Sequence, residues 1–379
     1  MSHVASSCVL GCVCIAVACC SGTDLTGSQA GTGPWSSLAA GQDHTCGFTS
    51  TGVAYCWGSN LYYGALGNGS SDTMPHPRPV AVSGGLTFAS LVAGSDATCG
   101  VTRSGAAYCW GLGAVMSGPW VGTYSTAPNP VPVNLTFATL TTGWCGLTSG
   151  GAAYCWSFSP WGQGQGIWQI VGLAGEETFT ALADGGDHTC VVASTGAAYC
   201  WGRNNFGQLG IGAPDTILHA TPVAVAGGLT FVGIATGGSH TCGLASGGVA
   251  YCWGSNLYGQ VGDGTLTNRA TPVAVTGGLM FTALAAGYDQ TCGLARGGAA
   301  YCWGYNGYGQ LGHSTSANQS AAPVAVMGGL TFAAVTVGGS HACGLTSRGA
   351  AYCWGGNAVG QLGDGTLTDR VAPVTVSNP

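Results

Sequence analysis

Fourteen cysteines form seven pairs with one spacing, Cys-x9-Cys: Cys46 with Cys56, Cys99 with Cys109, Cys145 with Cys155, Cys190 with Cys200, Cys242 with Cys252, Cys292 with Cys302, and Cys343 with Cys353. Two chemistries use cysteines in this way. Zinc needs about four converging ligands, whereas these pairs come one at a time, 45 to 53 residues apart. A disulfide needs two opposed side chains. Placing Cys242 opposite Cys252 in an antiparallel hairpin sets Gly243 against Tyr251 and Leu244 against Ala250, and the turn falls on Ser246-Gly247-Gly248. Those residues accept the positive φ of such turns. Opposed Cα atoms in an antiparallel ladder lie about 4.5 to 5.5 Å apart, which a disulfide spans. Seven disulfides are therefore expected, each contributing roughly 2.5 to 3 kcal/mol on the loop-entropy account, with zinc as the competing reading. Disulfides imply an oxidising compartment.

Other residues with chemical potential do not converge. His44, His188, His240 and His341 recur at one repeat position, where Ala97 and Gln290 stand in two other copies. A recurring position suits a structural histidine that bonds nearby backbone at a turn better than a single catalytic base. Asp263–Thr265 and Asp364–Thr366 raise the question of calcium but lack the alternating carboxylates of a calcium loop. The acidic residues show no obvious pair for glycoside cleavage. No catalytic residue, metal ligand or cofactor is expected, and the protein is not expected to be an enzyme.

The elements that carry the cysteines are short strands. Four strand-like runs recur per copy, typified by Pro272-Val-Ala-Val275, Phe281-Thr-Ala-Leu-Ala-Ala286, Thr291-Cys-Gly-Leu-Ala295 and Ala300-Tyr-Cys-Trp303, separated by glycine-rich turns. Four strands in a repeat of about 50 residues suggest a propeller blade. The fold expected is all-β: a seven-bladed β-propeller over residues 34–379. The first copy has no Pro-Val-Ala-Val run before Trp35, and Pro373-Val-Thr-Val376 follows the last. Pro373–Val376 is therefore expected to pair with the first blade and seal the ring, since an open edge would otherwise remain.

An apolar run from Val9 to Ala18 precedes Cys19, too short to span a bilayer comfortably and suited to a signal peptide. Residues 1–19 are read as a signal peptide or lipoprotein signal, with Cys19 as the lipid-attachment site in the second case. Residues 20–33 read as a flexible tether. The chain has 70 glycines, 5% charged residues and a net charge of −6, and every basic residue is arginine. Such a chain has little with which to displace counterions from nucleic acid and no polybasic membrane patch. Membrane association is expected only through the lipid.

The series Gly-x-x-His-Thr-Cys-Gly-Leu, Tyr-Cys-Trp-Gly-x-Asn and Gly-Gln-Leu-Gly resembles the repeat of the regulator of chromosome condensation family. Trp-Gly-x-Asn stands at Trp57–Asn60, Trp201–Asn204, Trp253–Asn256, Trp303–Asn306 and Trp354–Asn357. The resemblance implies a seven-bladed propeller and several different functions: nucleotide exchange on a small GTPase, ultraviolet-B sensing, and inhibition of a β-lactamase by a secreted bacterial protein. The paired cysteines point to a secreted version. The recurrent Trp of Cys-Trp-Gly is read as packing between blades. Copies two and three lose the Trp-Gly-x-Asn and Gly-Gln-Leu-Gly runs and carry Trp120, Tyr124, Phe158, Trp161 and Trp168 in their loops. These five are candidate partner-binding residues, because binding hot spots favour large aromatics. The competing reading is decay of two repeats. The protein is thus expected to be an exported, monomeric, non-enzymatic scaffold, extracellular or in the cell envelope, for a protein or cell-surface polymer. The alternative is a regulator of another enzyme, by exchange or inhibition.

Iodoacetamide labelling of the denatured, unreduced protein should leave all fourteen paired cysteines unmodified and label them only after reduction. Peptide mass spectrometry would show it. Labelling of both members of any pair without reductant would count against that disulfide.

Overall fold

The computed structural model describes residues 33–113, 124–143, 145–156, 167–170, 178–314 and 317–379. The expected signal segment with Cys19, and the tether up to residue 32, lie outside them. Within these residues the strands form seven four-stranded antiparallel sheets, with no helix. In blade five the order from the axis outward is Phe231–Thr236, His240–Ala245, Ala250–Gly254 and Arg269–Ala274. The other blades repeat this inner, second, third and outer order.

The cysteines sit on the two middle strands in the expected register. Cys46 stands directly opposite Cys56, Cys99 opposite Cys109, and Cys145 opposite Cys155. Cys190 likewise faces Cys200, Cys242 faces Cys252, Cys292 faces Cys302, and Cys343 faces Cys353. All seven pairs are disulfide-bonded. Their Cα atoms are 4.0–4.1 Å apart, somewhat closer than the ladder spacing led one to expect. One glycine shows how local sequence serves this core. A Cβ on Gly243 would lie 2.5 Å from the Phe231 ring, so the residue after Cys242 must leave that space to the inner-strand aromatic.

The phase of the blades differs from the sequence expectation. The Pro-Val-Ala-Val run does not open a blade but closes it: Cys252 pairs with Val273, and Cys56 with Val80. Proline lacks the N–H a central strand needs, so it belongs on the outer edge. Consequently Pro373–Val376 does not join blade one. Val374 pairs with Cys353 in its own blade, and blade one has its own outer strand, His76–Ala81.

The ring closes by packing instead of strand exchange. Trp35, Leu38 and Trp57 of blade one share a buried cluster with Leu345, Leu362 and Val376 of blade seven. Comparable clusters lie between every other pair of neighbours.

Polar nodes tie the interfaces as well. In blades five and six, the backbone carbonyl of Gln260 accepts the Thr291 hydroxyl at 2.9 Å and the Trp303 indole N–H at 2.9 Å. Thr291 Oγ1 lies 2.8 Å from His240 Nε2. Because the hydroxyl proton goes to the carbonyl, His240 must donate from Nε2, which assigns its tautomer. The same node joins blade seven to one through His341, Thr45, Trp57 and the Gln361 carbonyl. Two further nodes use His44 with Thr98 and His188 with Thr241. The histidines thus bond the next blade's side chain, not local backbone as the sequence suggested. Trp57, Trp110, Trp253, Trp303 and Trp354 are fully buried, in keeping with packing between blades.

The exceptions are matched. Where blade seven has Ala342 in place of threonine, its neighbour has Gln290 instead of histidine, and the amide reaches the Gly338 carbonyl at 3.0 Å. T291V should therefore cost about 1–3 kcal/mol, because His240 keeps a buried donor without an acceptor. The pair H240Q with T291A, which copies Gln290 and Ala342, should cost less than the sum of its single changes in urea unfolding. A strictly additive cycle would show that the two side chains do not interact.

Candidate functional site: the loop face

The turns after the inner strands and the long loops after the third strands emerge on one face. The second-to-third hairpins emerge on the other. On the loop face, Asn256 anchors its loop from a fully buried position. Its amide donates to the Thr265 and Thr267 carbonyls, both at 3.0 Å, and its carbonyl accepts from Val261 N–H at 3.0 Å. The preceding Gly254 has φ of 99°, and a Cβ there would lie 2.6 Å from the Ser239 carbonyl. Trp-Gly-x-Asn is thus a loop-building motif.

The Asp-Gly-Thr runs are parts of these loops. Asp263 accepts from Thr265 at 2.8 Å and from Arg269 at 2.6 Å, and Asp364 is held in the same way by Thr366 and Arg370. Desolvation pushes the Asp263 carboxyl up, but the Thr265 and Arg269 bonds outweigh it and hold its pKa below the usual range. These carboxylates are already neutralised, which disfavours calcium. In blades one and four, His76 and His219 take the arginine's place, 3.1 and 3.2 Å from Asp72 and Asp215.

Glutamine side chains set the aromatic positions. The Gln260 and Gln310 side-chain oxygens accept the backbone N–H of Tyr258 and Tyr308, both at 2.9 Å. Tyr258 packs on Tyr305 of the next blade with centroids 4.9 Å apart, and Tyr305 meets Tyr308 at 6.2 Å. Blade one departs from this pattern, although its Trp57–Asn60 motif is intact. Ala65 replaces the glutamine, the loop is one residue longer, and Tyr62 takes a φ of 62° with 67% of its surface exposed. Tyr63 bridges from Tyr62 to Tyr124 of blade two, at 6.2 and 6.1 Å.

Of the candidate partner-binding residues, Tyr124 is therefore on the loop face, exposed and in an aromatic patch. Trp168 lies on a blade-three outer strand opposite Cys155. Trp120, Phe158 and Trp161 lie outside the described residues. Sequence reasoning missed Tyr62, Tyr63, Tyr258, Tyr305 and Tyr308. The signal was available: an aromatic stands just before the loop glycine at Tyr63, Phe206, Tyr258 and Tyr308.

Acidic charge among the described residues is confined to one face, which also holds Arg78, Arg203, Arg269 and Arg370. Every aspartate among the described residues belongs to the loop-face side, whereas Arg103, Arg296 and Arg348 sit on exposed hairpins of the opposite face. Asp43, Asp96, Asp187 and Asp289 stand on the turns nearest the axis. Desolvation, then repulsion from Asp96, raises the Asp43 pKa, against a bond from Gln42 that lowers it. Desolvation likewise raises Asp96 and Asp289. The recurrent histidines are sealed inside the nodes. Burial lowers His44 to about 4 and His188, His240 and His341 to about 3, with a smaller contribution from a neighbouring histidine at His188 and His341.

The sequence matches the regulator of chromosome condensation (RCC1) repeat over residues 195–244, 247–294 and 297–345, and a second description of that repeat over 35–64, 179–208, 231–260, 281–310 and 332–361. The chain belongs to the RCC1 repeat family. It is 28% identical over 344 residues to the ultraviolet-B receptor UVR8 of Arabidopsis thaliana, covering 90% of this chain and 58% of that protein. It is 29% identical over 232 residues to the human E3 ubiquitin-protein ligase HERC2, covering 61% of this chain and 4% of that one. The chain thus spans only part of each. Yeast RCC1 (Prp20), solved bound to Kap60, superposes with a TM-score of 0.53 at 20% identity, over 91% of this chain and 75% of that one. RCC1-repeat propellers are typically binding or regulatory scaffolds, and this chain shares their fold.

The buried histidines make acid sensitivity the expected behaviour. An unfolded histidine takes up a proton near pH 6.5, whereas folded His240 stays neutral down to about 3. This stability is fully present above pH 6.5 and is lost as pH falls toward the folded pKa. In H240Q the decline of unfolding free energy between pH 6.5 and 4 should be shallower by about 1.4 kcal/mol per pH unit. Urea titrations at several pH values would show a slope equal to the unsubstituted protein's if the histidine is not sealed.

Proposed function

We propose that this chain is an exported, non-enzymatic scaffold that binds a protein or surface polymer through its loop face. The observation that carries this reading is the pair of exposed tyrosine patches on an acidic face, at Tyr62, Tyr63 and Tyr124 and at Tyr258, Tyr305 and Tyr308. Tyrosine presents a large apolar area and a polar tip with only two side-chain torsions to immobilise. At Tyr258 and Tyr308 the glutamine-held loops keep that area in place before contact, which reduces the ordering cost of binding. Trp120, Phe158 and Trp161 stay candidate partner-binding residues in this reading.

Seven disulfides favour the extracellular space or cell envelope, which fits the signal segment and the reading of Cys19 as a lipid anchor. They also count against nucleotide exchange on a cytosolic GTPase, whose reducing surroundings would open the pairs. The acidic face disfavours nucleic acid, whose phosphates it would repel.

Capture of envelope components on immobilised protein tests the assignment. Y258S with Y308S, and Y62S with Y124S, should each lower recovery of the captured partner at least fivefold. Serine at Arg103, Arg296 and Arg348 should leave it unchanged. Loss on the hairpin face with retention on the loop face would reverse the assignment.

A further inference from the structure

The loop face opens on the propeller axis into a cavity of about 150 Å³, bounded by the ends of the inner strands of all seven blades. Its wall is largely backbone. The glycines at Gly41, Gly185, Gly237, Gly287 and Gly338 cannot carry side chains, because a Cβ on each would lie 2.1–2.4 Å from the next blade's glycine carbonyl. The adjoining turns are tied in the same direction: Gln42 N–H donates to Gly94, and Gly339 N–H to Gly41. The mouth is therefore narrow, and its shape is held by the ring itself.

One carboxylate enters this wall. Asp184 stands at a position occupied by Ala40, Ala93, Thr236, Ala286 and Val337 in other blades. It accepts the Thr141 hydroxyl at 2.8 Å and the Thr189 hydroxyl. It also accepts a Gly143 backbone bond. Gly143 makes room for it, since a Cβ there would collide with the carboxylate. The acid is thus clamped from one side, by blade three and its own second strand, and lines the cavity on the other.

A second observation is independent of the acid. Thr236, on the next blade, lines the same cavity with 8% of its surface exposed, and its hydroxyl is one of the buried polar atoms left without a partner. A buried hydroxyl without a partner is unfavourable, and a donor reaching it from the cavity would supply one. Beyond the wall stand Asp43, Asp96, Asp187 and Asp289. Among the described residues no arginine lines the wall to neutralise this charge. The cavity holds about five waters' worth of space, enough for the tip of an aliphatic amine or a guanidinium and too small for a nucleotide.

We propose that the axial mouth binds an ammonium or guanidinium group, paired with Asp184 and donating to the Thr236 hydroxyl. The group is a lysine or arginine side chain of a protein docked on the loop face. This rests on the scaffold reading and names the chemistry of its partner. The outer aspartates draw the cation in, and Asp184 fixes it. A divalent metal is the poorer fit, because it needs several oxygen ligands and, among the described residues, the one carboxylate in the wall is already held by three donors.

Calorimetry with the intact protein at low salt tests this, using tetralysine, spermidine, tetraglutamate and calcium chloride as separate probes. Tetralysine should bind saturably and weaken as salt rises. D184N should weaken it at least tenfold, T236V about threefold, and D43N with D96N about threefold. Tetraglutamate should not bind. T236V leaves Asp184 and its partners in place, so it serves if D184N disturbs the interface between blades three and four. Tetralysine binding unchanged in both D184N and T236V, or absent from the unsubstituted protein, would overturn the site. Calcium binding that depends on Asp184 and excludes tetralysine would overturn the ligand class. Spermidine binding tenfold tighter than tetralysine would overturn the partner side chain in favour of a free polyamine. Any of these results with the tyrosine-dependent capture intact would overturn the docked lysine or arginine and leave the scaffold reading standing.

Discussion

One backbone carbonyl per node, contributed by the loop residue before Leu or Val, organises this propeller; it is Ala65 in blade one and glutamine in the others. Gln208, Gln260 and Gln361 each accept an indole N–H and a threonine hydroxyl from the following blade. The threonine in turn takes a proton from the preceding blade's histidine. Four separate motifs, His-Thr-Cys, Cys-Trp-Gly, Trp-Gly-x-Asn and Gly-Gln-Leu-Gly, therefore answer one geometric requirement. Buried polar groups must be satisfied as a set, so a change at one member demands change at its partners. Gln290 with Ala342 shows this. So does the sequence at the junction of blades two and three, where Ala97 replaces the histidine and Trp144 stands at the threonine position.

The disulfides do a different job. Each closes a hairpin within one blade, as Cys99 with Cys109 and Cys292 with Cys302 do, so none ties a blade to its neighbour. They limit what a blade can do when unfolded, while cohesion around the ring depends on the apolar clusters and the nodes. A strand exchange at the seam is unnecessary because Trp35 and Trp57 meet Leu362 and Val376 as other neighbours meet. The consequence reaches the binding face. The same glutamine whose carbonyl anchors the next blade uses its side chain to hold Tyr258 or Tyr308 in place, so interface packing and aromatic display share one residue.

The cysteine spacing made the blade number and the middle-strand register legible, because a pair at fixed separation is a local fact. The phase of the fourth strand was not legible. Pro272–Val275 lies between two glycine-rich connections of similar character, and only its pairing with Cys252 decides which blade owns it. Likewise the partner of His240 is 51 residues away, and no local pattern around His240 points to Thr291. The exposed tyrosines escaped notice for another reason. They occur on blades that keep the repeat, where regularity draws attention to the invariant frame and away from the variable residue within it.

Asp184 shows where a symmetric frame acquires a singular feature. Blade three is shortened before Cys145, and Gly143 stands two residues before that cysteine, where other blades place the donor histidine. Thr189, the hydroxyl that would have received that histidine, turns to Asp184. A repair of the node by a neutral side chain would have satisfied Thr189 equally well. An acid satisfies it and also sets a carboxyl in the axial wall, where burial raises its pKa against the Thr189, Thr141 and Gly143 bonds, in the cavity that Thr236 also lines. The ring thus holds together at its most divergent interface through a residue that also gives its mouth a carboxyl group. That double role is the physical reason to look for a ligand there and not at the recurrent histidines, which are neutral and enclosed.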